Sequence, residues 1–178
     1  MFKKVQLDYD FSEILTANYD VHSGTCIAHQ SKEIPEVYES IGGHPASYCL
    51  ENTTIHQLWW DRNTLDFDNL EDQLGMEIVS VSSIRQDPGN CITYHKDMFY
   101  RVKKEFPDRH NTIVRANIFL EDYKLGHFFQ ATLDGTHQTV PNWNKNEGYM
   151  FDDSVYHLSS NAGLQPKYTL QFSGFLLD

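Results

Sequence analysis

The spacing of apolar positions changes near residue 76. Before it the pattern is mixed. Residues 5–9 alternate over a short span and predict a strand. Ile34, Val37, Tyr38 and Ile41 recur at helical spacing, so 31–41 reads as a helix stopped by Gly42-Gly43. Residues 55–60 form an apolar strand in which the adjacent Trp59 and Trp60 must face opposite ways, one to the core and one to a groove or edge. Residues 66–74 predict a short helix, with an acidic start, Leu70 and Leu74 four apart, and Gly75 at the C-terminal position. After Met76 the period is two. Strands are expected at 77–86, 91–97, 112–120, 126–133, 149–151 and 167–177, with a short helix or irregular excursion over 97–106. Asp87-Pro88-Gly89-Asn90 suits a type II turn, and Asp134-Gly135 marks another. Short strands at this spacing predict a mainly β protein with flanking helices. Its architecture is then two packed antiparallel sheets or a barrel, of which the jelly roll is the common metal-bearing form.

A chain of 178 residues suits a single domain over 1–178, with 1–75 as a mixed α/β support region and 76–178 as the jelly-roll core. At 40% hydrophobic and 13% aromatic it has enough apolar surface to bury a core. No apolar run reaches bilayer length, and the first residues lack a signal-peptide core, so a soluble, cytoplasmic protein without a membrane partner is expected. The net charge of −11 disfavours nucleic acid as a partner, because no long basic cluster offsets it. Cys26, Cys49 and Cys91 are too scattered for a disulfide framework or a paired-cysteine zinc site, and fit a reducing compartment. By strand parity Cys91 is placed with His95 and Asp97, most simply as an inert thiol.

The chemistry concentrates in His95-Lys96-Asp97, His157 and Lys167. Residues two apart on a strand share a face, so His95 and Asp97 can reach one metal together, with a histidine from a distant strand as third ligand. Two imidazoles and one carboxylate leave the remaining metal positions open, as non-haem Fe(II) oxygenation requires. On the closing strand Lys167, Thr169, Gln171 and Ser173 fall on one face and Tyr168, Leu170 and Phe172 on the other. If the polar row lines a cavity, an ammonium and a hydroxyl stand side by side to hold one carboxylate. A strand with its polar face in water gives the same alternation.

The ordered set His95-x-Asp97, His157, a basic residue ten positions on and a threonine two later resembles the Fe(II)/2-oxoglutarate-dependent oxygenase superfamily. Pro88-Gly89, the strand from Arg115 to Leu120, and Gly126 are similar to its prolyl 4-hydroxylase-like branch. The resemblance covers about residues 76–178. It implies a double-stranded β-helix (jelly roll, cupin-like), with Fe(II) and 2-oxoglutarate as cofactor and co-substrate and O2 as a reactant. His95, Asp97 and His157 would then be the catalytic metal ligands, and Lys167 with Thr169 would bind the distal carboxylate of 2-oxoglutarate. The activity implied is a dioxygenase that hydroxylates its substrate with release of succinate and CO2. Retention of Asp97 favours hydroxylation over halogenation.

Arg85 and Asn117 are further candidates for contact with co-substrate or substrate. Asn117 alternates with Arg115 and Phe119 on one face, and Arg85 forms either a carboxylate clamp or a surface pair. His127 and His137 lie between the proposed ligands, but neither is followed by a suitably placed cation, so His157 is preferred; His137 is expected in a loop. Tyr94 should pack outward. The substrate is read only as a peptidyl residue or small metabolite, with the wall before Met76 helping to select it. Two rival readings remain: a non-catalytic cupin-like metal- or ligand-binding domain, and a hydrolase or isomerase using another metal.

Overall fold

The closing strand Lys167–Leu176 organises the larger of two sheets. In this computed structural model residues 1–25, 54–133 and 135–177 are described. The elements run β1 (Phe2–Gln6), α1 (Ser12–Thr16), a single 3-10 turn (Tyr19–His22), β2 (Ser23–Thr25), β3 (Thr54–Trp60), α2 (Phe67–Leu74), β4 (Met76–Gln86), β5 (Cys91–His95) and α3 (Tyr100–Glu105). They continue with β6 (Ile113–Phe119), β7 (His127–Leu133), β8 (Thr136–Thr139), β9 (Glu147–Asp152), β10 (Tyr156–Asn161) and β11 (Lys167–Leu176). The large sheet has the order β1-β9-β6-β11-β4-β3-β2 and the small one β5-β10-β7-β8, and neighbouring strands are antiparallel throughout.

Register determines what each face carries. Thr169 lies opposite Ile84 and Phe119, Gln171 opposite Ser82 and Asn117, and Ser173 opposite Ser80 and Arg115. Partners in an antiparallel pair share a face, so these residues and Lys167 form one surface. That surface looks toward the small sheet: Phe119 and Phe151 pack with Phe129 and Ala131, and Ile55 and Ile84 with Ile92. Two facing antiparallel sheets of this kind make a double-stranded β-helix. On the reverse face Leu170, Phe172, Val81, Ala116, Ile118 and Met150 are sealed by α1, α2 and their flanking loops, through Leu7, Phe11, Ile14, Leu70 and Leu74. Each of the larger side chains contributes about 1.5–3 kcal/mol by leaving water. The polar row of β11 is therefore internal, with Lys167, Thr169 and Ser173 all buried.

Local signals hold where side-chain chemistry decides. Asp66 caps α2 by accepting from the Asn69 amide (3.1 Å), and Gly75 closes it in the left-handed region at φ 65°. The 87–90 turn forms, with Gly89 at φ 90° and the Asn90 amide bonded to the Asp87 carbonyl (2.9 Å). Where long-range pairing decides, expectation and structure part. The first strand falls at Phe2–Gln6 instead of 5–9, because Phe2 pairs with Phe151 and stacks on Tyr149. His137 is not in a loop but on the exposed edge strand β8, drawn there by pairing with β7. Strand β5 ends at His95, so Asp97 lies beyond it. The expected helix over 31–41, its Gly42-Gly43 stop, Cys26 and Cys49 lie outside the described residues. Among the described residues no helix is long and apolar enough to cross a membrane.

A β-bulge lies where β11 crosses from Ser173 to Gly174 against β4. A Cβ on Gly174 would stand 1.8 Å from the Glu77 carbonyl oxygen, a backbone atom with no freedom to withdraw. Gly174→Ala is expected to cost about 3 kcal/mol in urea unfolding; a loss below about 0.5 kcal/mol, within the ordinary range for surface substitutions, would show that the strands do not approach so closely.

Candidate metal centre

His95 and His157 are direct cross-strand partners on β5 and β10, with ring centroids 4.4 Å apart. Each ring is oriented by the backbone carbonyl two residues before it. His95 Nδ1 donates to the Thr93 carbonyl at 2.7 Å and His157 Nδ1 to the Val155 carbonyl at 3.3 Å. A carbonyl can only accept, so both Nδ1 atoms carry the proton and both Nε2 atoms keep a free lone pair. The loop after β5 then folds Asp97 in beneath them. Its Oδ1 lies 3.7 Å from His95 Nε2 and its Oδ2 4.0 Å from His157 Nε2. The three ligand atoms are within 4.8 Å of one another.

Electrostatics favour the ligating form of each group. Burial pushes the Asp97 carboxyl up, but the Arg115 guanidinium beside it outweighs burial and holds it below the usual carboxylate range. His157 is pushed down to about 3 by burial and by repulsion from His95, so it stays a neutral donor at any physiological pH. One carboxylate and two oriented imidazoles with free Nε2 atoms are a donor set that suits a divalent first-row metal.

Lys167 stands on the facing sheet. It is 2% exposed, and its Nζ donates to the Phe128 carbonyl (2.5 Å) and the Ser159 hydroxyl (2.7 Å). Ser159 donates in turn to Gln86 Oε1 (2.7 Å). The aromatic rings of Trp143 and Phe119, stacked 4.0 Å apart, lie 5.6 and 5.9 Å from the ammonium. No carboxylate pairs with it among the described residues, and burial pushes it down to about 7. A buried cation held only by neutral acceptors is poised for an anion.

The remaining candidates divide. Thr169 is buried on the inward face two residues beyond Lys167, and Asn117 is buried on the same face with an Oδ1 that has no hydrogen-bond partner. Arg85 is not brought to the centre. It has the opposite parity, turns to the reverse face of the large sheet, and pairs with Asp20 (2.6 Å) and Asp87 (3.0 Å). His127 lies apart, accepted by the Gln165 carbonyl (3.0 Å), and His137 meets Thr132 at the surface. Cys91 departs from the parity expected of it. Between the His157–His95 and Ser159–Ile92 pairs β5 takes three steps and β10 two, so Ile92 turns inward beside Ile84 and Cys91 lies opposite Ser160. Tyr94 packs outward on Tyr156 as expected, with ring centroids 5.7 Å apart. Trp60 packs on the core and donates to Ser83 (2.7 Å), while Trp59 is exposed on the cavity face of β3 beneath the Arg101 guanidinium.

Sequence reasoning passed over Arg115, Ser159 and Gln86. Arg115 Nε stands 3.0 Å from Asp97 Oδ2 and its Nη1 donates to Gln171 Oε1 at 2.8 Å. The parity that singled out Asn117 applies equally to Arg115, whereas Ser159 lies on β10, a strand not expected from the sequence.

No protein-family model matches this sequence, and no curated protein matches it. Solved structures do. A prolyl-4-hydroxylase of Pseudomonas putida is 15% identical at a TM-score of 0.54, over 98% of this chain and 92% of that one. The non-haem alpha ketoglutarate dependent carbocyclase SnoK from nogalamycin biosynthesis is 9% identical at 0.58, over 98% and 79%. The corresponding epimerase SnoN is 10% identical at 0.54, over 97% and 76%. At such identities the likeness establishes the jelly-roll fold that these oxygenases share with this chain.

Proposed function

We propose that this protein is an Fe(II)/2-oxoglutarate-dependent dioxygenase that hydroxylates a peptidyl residue or small metabolite. The observation that carries the reading is the pairing of the His95/Asp97/His157 cluster with Lys167, a buried cation that lacks a carboxylate partner among the described residues. A metal site alone would fit a cupin-like binding domain or a metallohydrolase, but neither needs a second buried cation in the same cavity. His95, Asp97 and His157 would hold the iron, and Lys167 with Thr169 the distal carboxylate of the co-substrate, with Asn117 available to a further polar group. Arg85 has no part in this reading. Bound there, iron and 2-oxoglutarate supply the oxidising power for hydroxylation, coupled to release of succinate and CO2. The chain itself orients both imidazoles through their Nδ1–H groups, keeps Asp97 ionised, and walls the co-substrate end with Phe119 and Trp143, which exclude water.

Anaerobic addition of Fe(II) and 2-oxoglutarate to the apoprotein tests this. The wild type is expected to develop the visible metal-to-ligand charge-transfer band, and His157→Ala to lose it. Iron that binds without a band would remove the co-substrate from the reading and leave a metal-binding cupin-like domain.

A further inference from the structure

Arg115 is an unexpected neighbour for a metal ligand. A fixed cation beside a divalent site opposes metal binding by Coulomb repulsion, so its presence there calls for a compensating role. Contacts on three sides fix its placement. Arg115 projects inward from β6 in the row of Ser80 and Ser173. Its Nη1 is braced by Gln171, its guanidinium carbon lies 5.6 Å from the Phe99 ring centroid, and its Nε approaches Asp97 Oδ2 to 3.0 Å. The Nε–H is not aligned on that oxygen, so the contact is Coulombic and holds position more than direction. Asp97 itself is buried and accepts no other cation among the described residues.

A carboxylate can bind a metal through one oxygen or both. With two oxygens and two imidazoles, four positions of an octahedron are filled and two remain; with one oxygen, three remain. We propose that Arg115 is a positioning residue that holds Asp97 Oδ2 and so restricts the carboxylate to a single metal bond. This rests on the metal reading above and adds to it the device that keeps a third position open, room for a bidentate ligand and one more small molecule together. Gln171 belongs to the device as the brace that stops the guanidinium from following the metal.

Mn(II) is the probe, and water-proton relaxation counts the exchangeable waters on it. Wild type is expected to carry about three, the number left by three protein donors on an octahedral ion. Arg115→Met should carry about one fewer, as the released oxygen turns to the metal, and Arg115→Lys should restore the lost water by returning a cation to Oδ2. Unchanged hydration in Arg115→Met, or a loss that lysine does not restore, overturns the proposal. Should Arg115→Met not fold, Gln171→Met leaves the charge but removes the brace, and hydration equal to wild type in that variant overturns it equally. The metal reading fails separately: wild type would then show no bound Mn(II) at all.

Discussion

Lys167→Met is expected to weaken 2-oxoglutarate binding by roughly two to three powers of ten, while making the free protein more stable at neutral pH. The affinity loss follows from removing the buried charge that faces the distal carboxylate, about 3–4 kcal/mol when a desolvated ion is left without its partner. The stability gain follows from linkage. Burial holds the Lys167 ammonium at about 7 in the folded chain against 10.5 in the unfolded one. Between those values the unfolded chain binds more protons, so wild-type stability rises with pH across that window, by about 1.4 kcal/mol per unit. Below pH 7 both states are charged and the full penalty, about 5 kcal/mol, is present. Methionine removes the penalty but leaves the Phe128 carbonyl and Ser159 hydroxyl without their donor, at about 1–3 kcal/mol. The variant should therefore be more stable by about 2–4 kcal/mol near pH 7, and the advantage should vanish near pH 9 and reverse toward pH 10.5, where only the two lost hydrogen bonds remain. Urea unfolding at pH 7, 8.5 and 10 measures it. Parallel curves for the two proteins would mean that the ammonium is already compensated in the free chain. The same titration makes co-substrate binding favour acid over base: its affinity should fall as pH rises above 7, with uptake of a proton that calorimetry in two buffers detects.

Much of the metal cluster was legible because short-range signals mark it. His95 and Asp97 are two apart, the 87–90 turn that starts β5 is written in its own residues, and His157 was picked out by the cation ten positions on, although no strand was expected at Tyr156–Asn161. The reason offered for Asp97 was nevertheless incomplete, since β5 ends two residues earlier and the loop, not the strand, brings the carboxylate in. Parity along 167–173 likewise gave two faces but no rule for which was wet. The answer came from outside the strand: α1 and α2 cover one face and the small sheet the other, so both are dry. Arg85 and Cys91 show where one-dimensional reading ends. Arg85 is one position out of phase with Gln86, so it turns to the reverse face, where Asp20 completes its pairing across 65 residues of sequence. Cys91 is displaced by a bulge that leaves no mark in composition or period. Arg115 was missed for a different reason. Its role depends on a loop-borne carboxylate reaching it, and no spacing within β6 encodes that meeting.

The Arg115–Asp97 pair is expected to dominate the pH profile of the metal-free protein. Asp97 lies fully inside, so removing Arg115 leaves a carboxylate without its main compensating charge, a change that typically costs about 3–5 kcal/mol. In wild type the folded pKa of Asp97 is depressed, so the pair's contribution is complete above the unfolded value of 3.8 and fades as pH falls below it. In Arg115→Met burial is no longer outweighed, the carboxyl titrates upward, and protonation relieves the strain as the solution is acidified. The two stability curves should therefore stand about 3–5 kcal/mol apart at pH 7 and converge toward pH 3. Adding a divalent metal at pH 7 should narrow the gap as well, because the ion neutralises the same oxygens. A further change of Asp97 to leucine removes the orphaned charge altogether and should recover most of the loss. Thermal and urea unfolding of the single and double variants, with and without Mn(II), decide the matter. A gap that stays constant from pH 7 to pH 3 would place the cost in lost packing against Phe99 and Gln171, and would assign Arg115 a role in the core in place of one at the carboxylate.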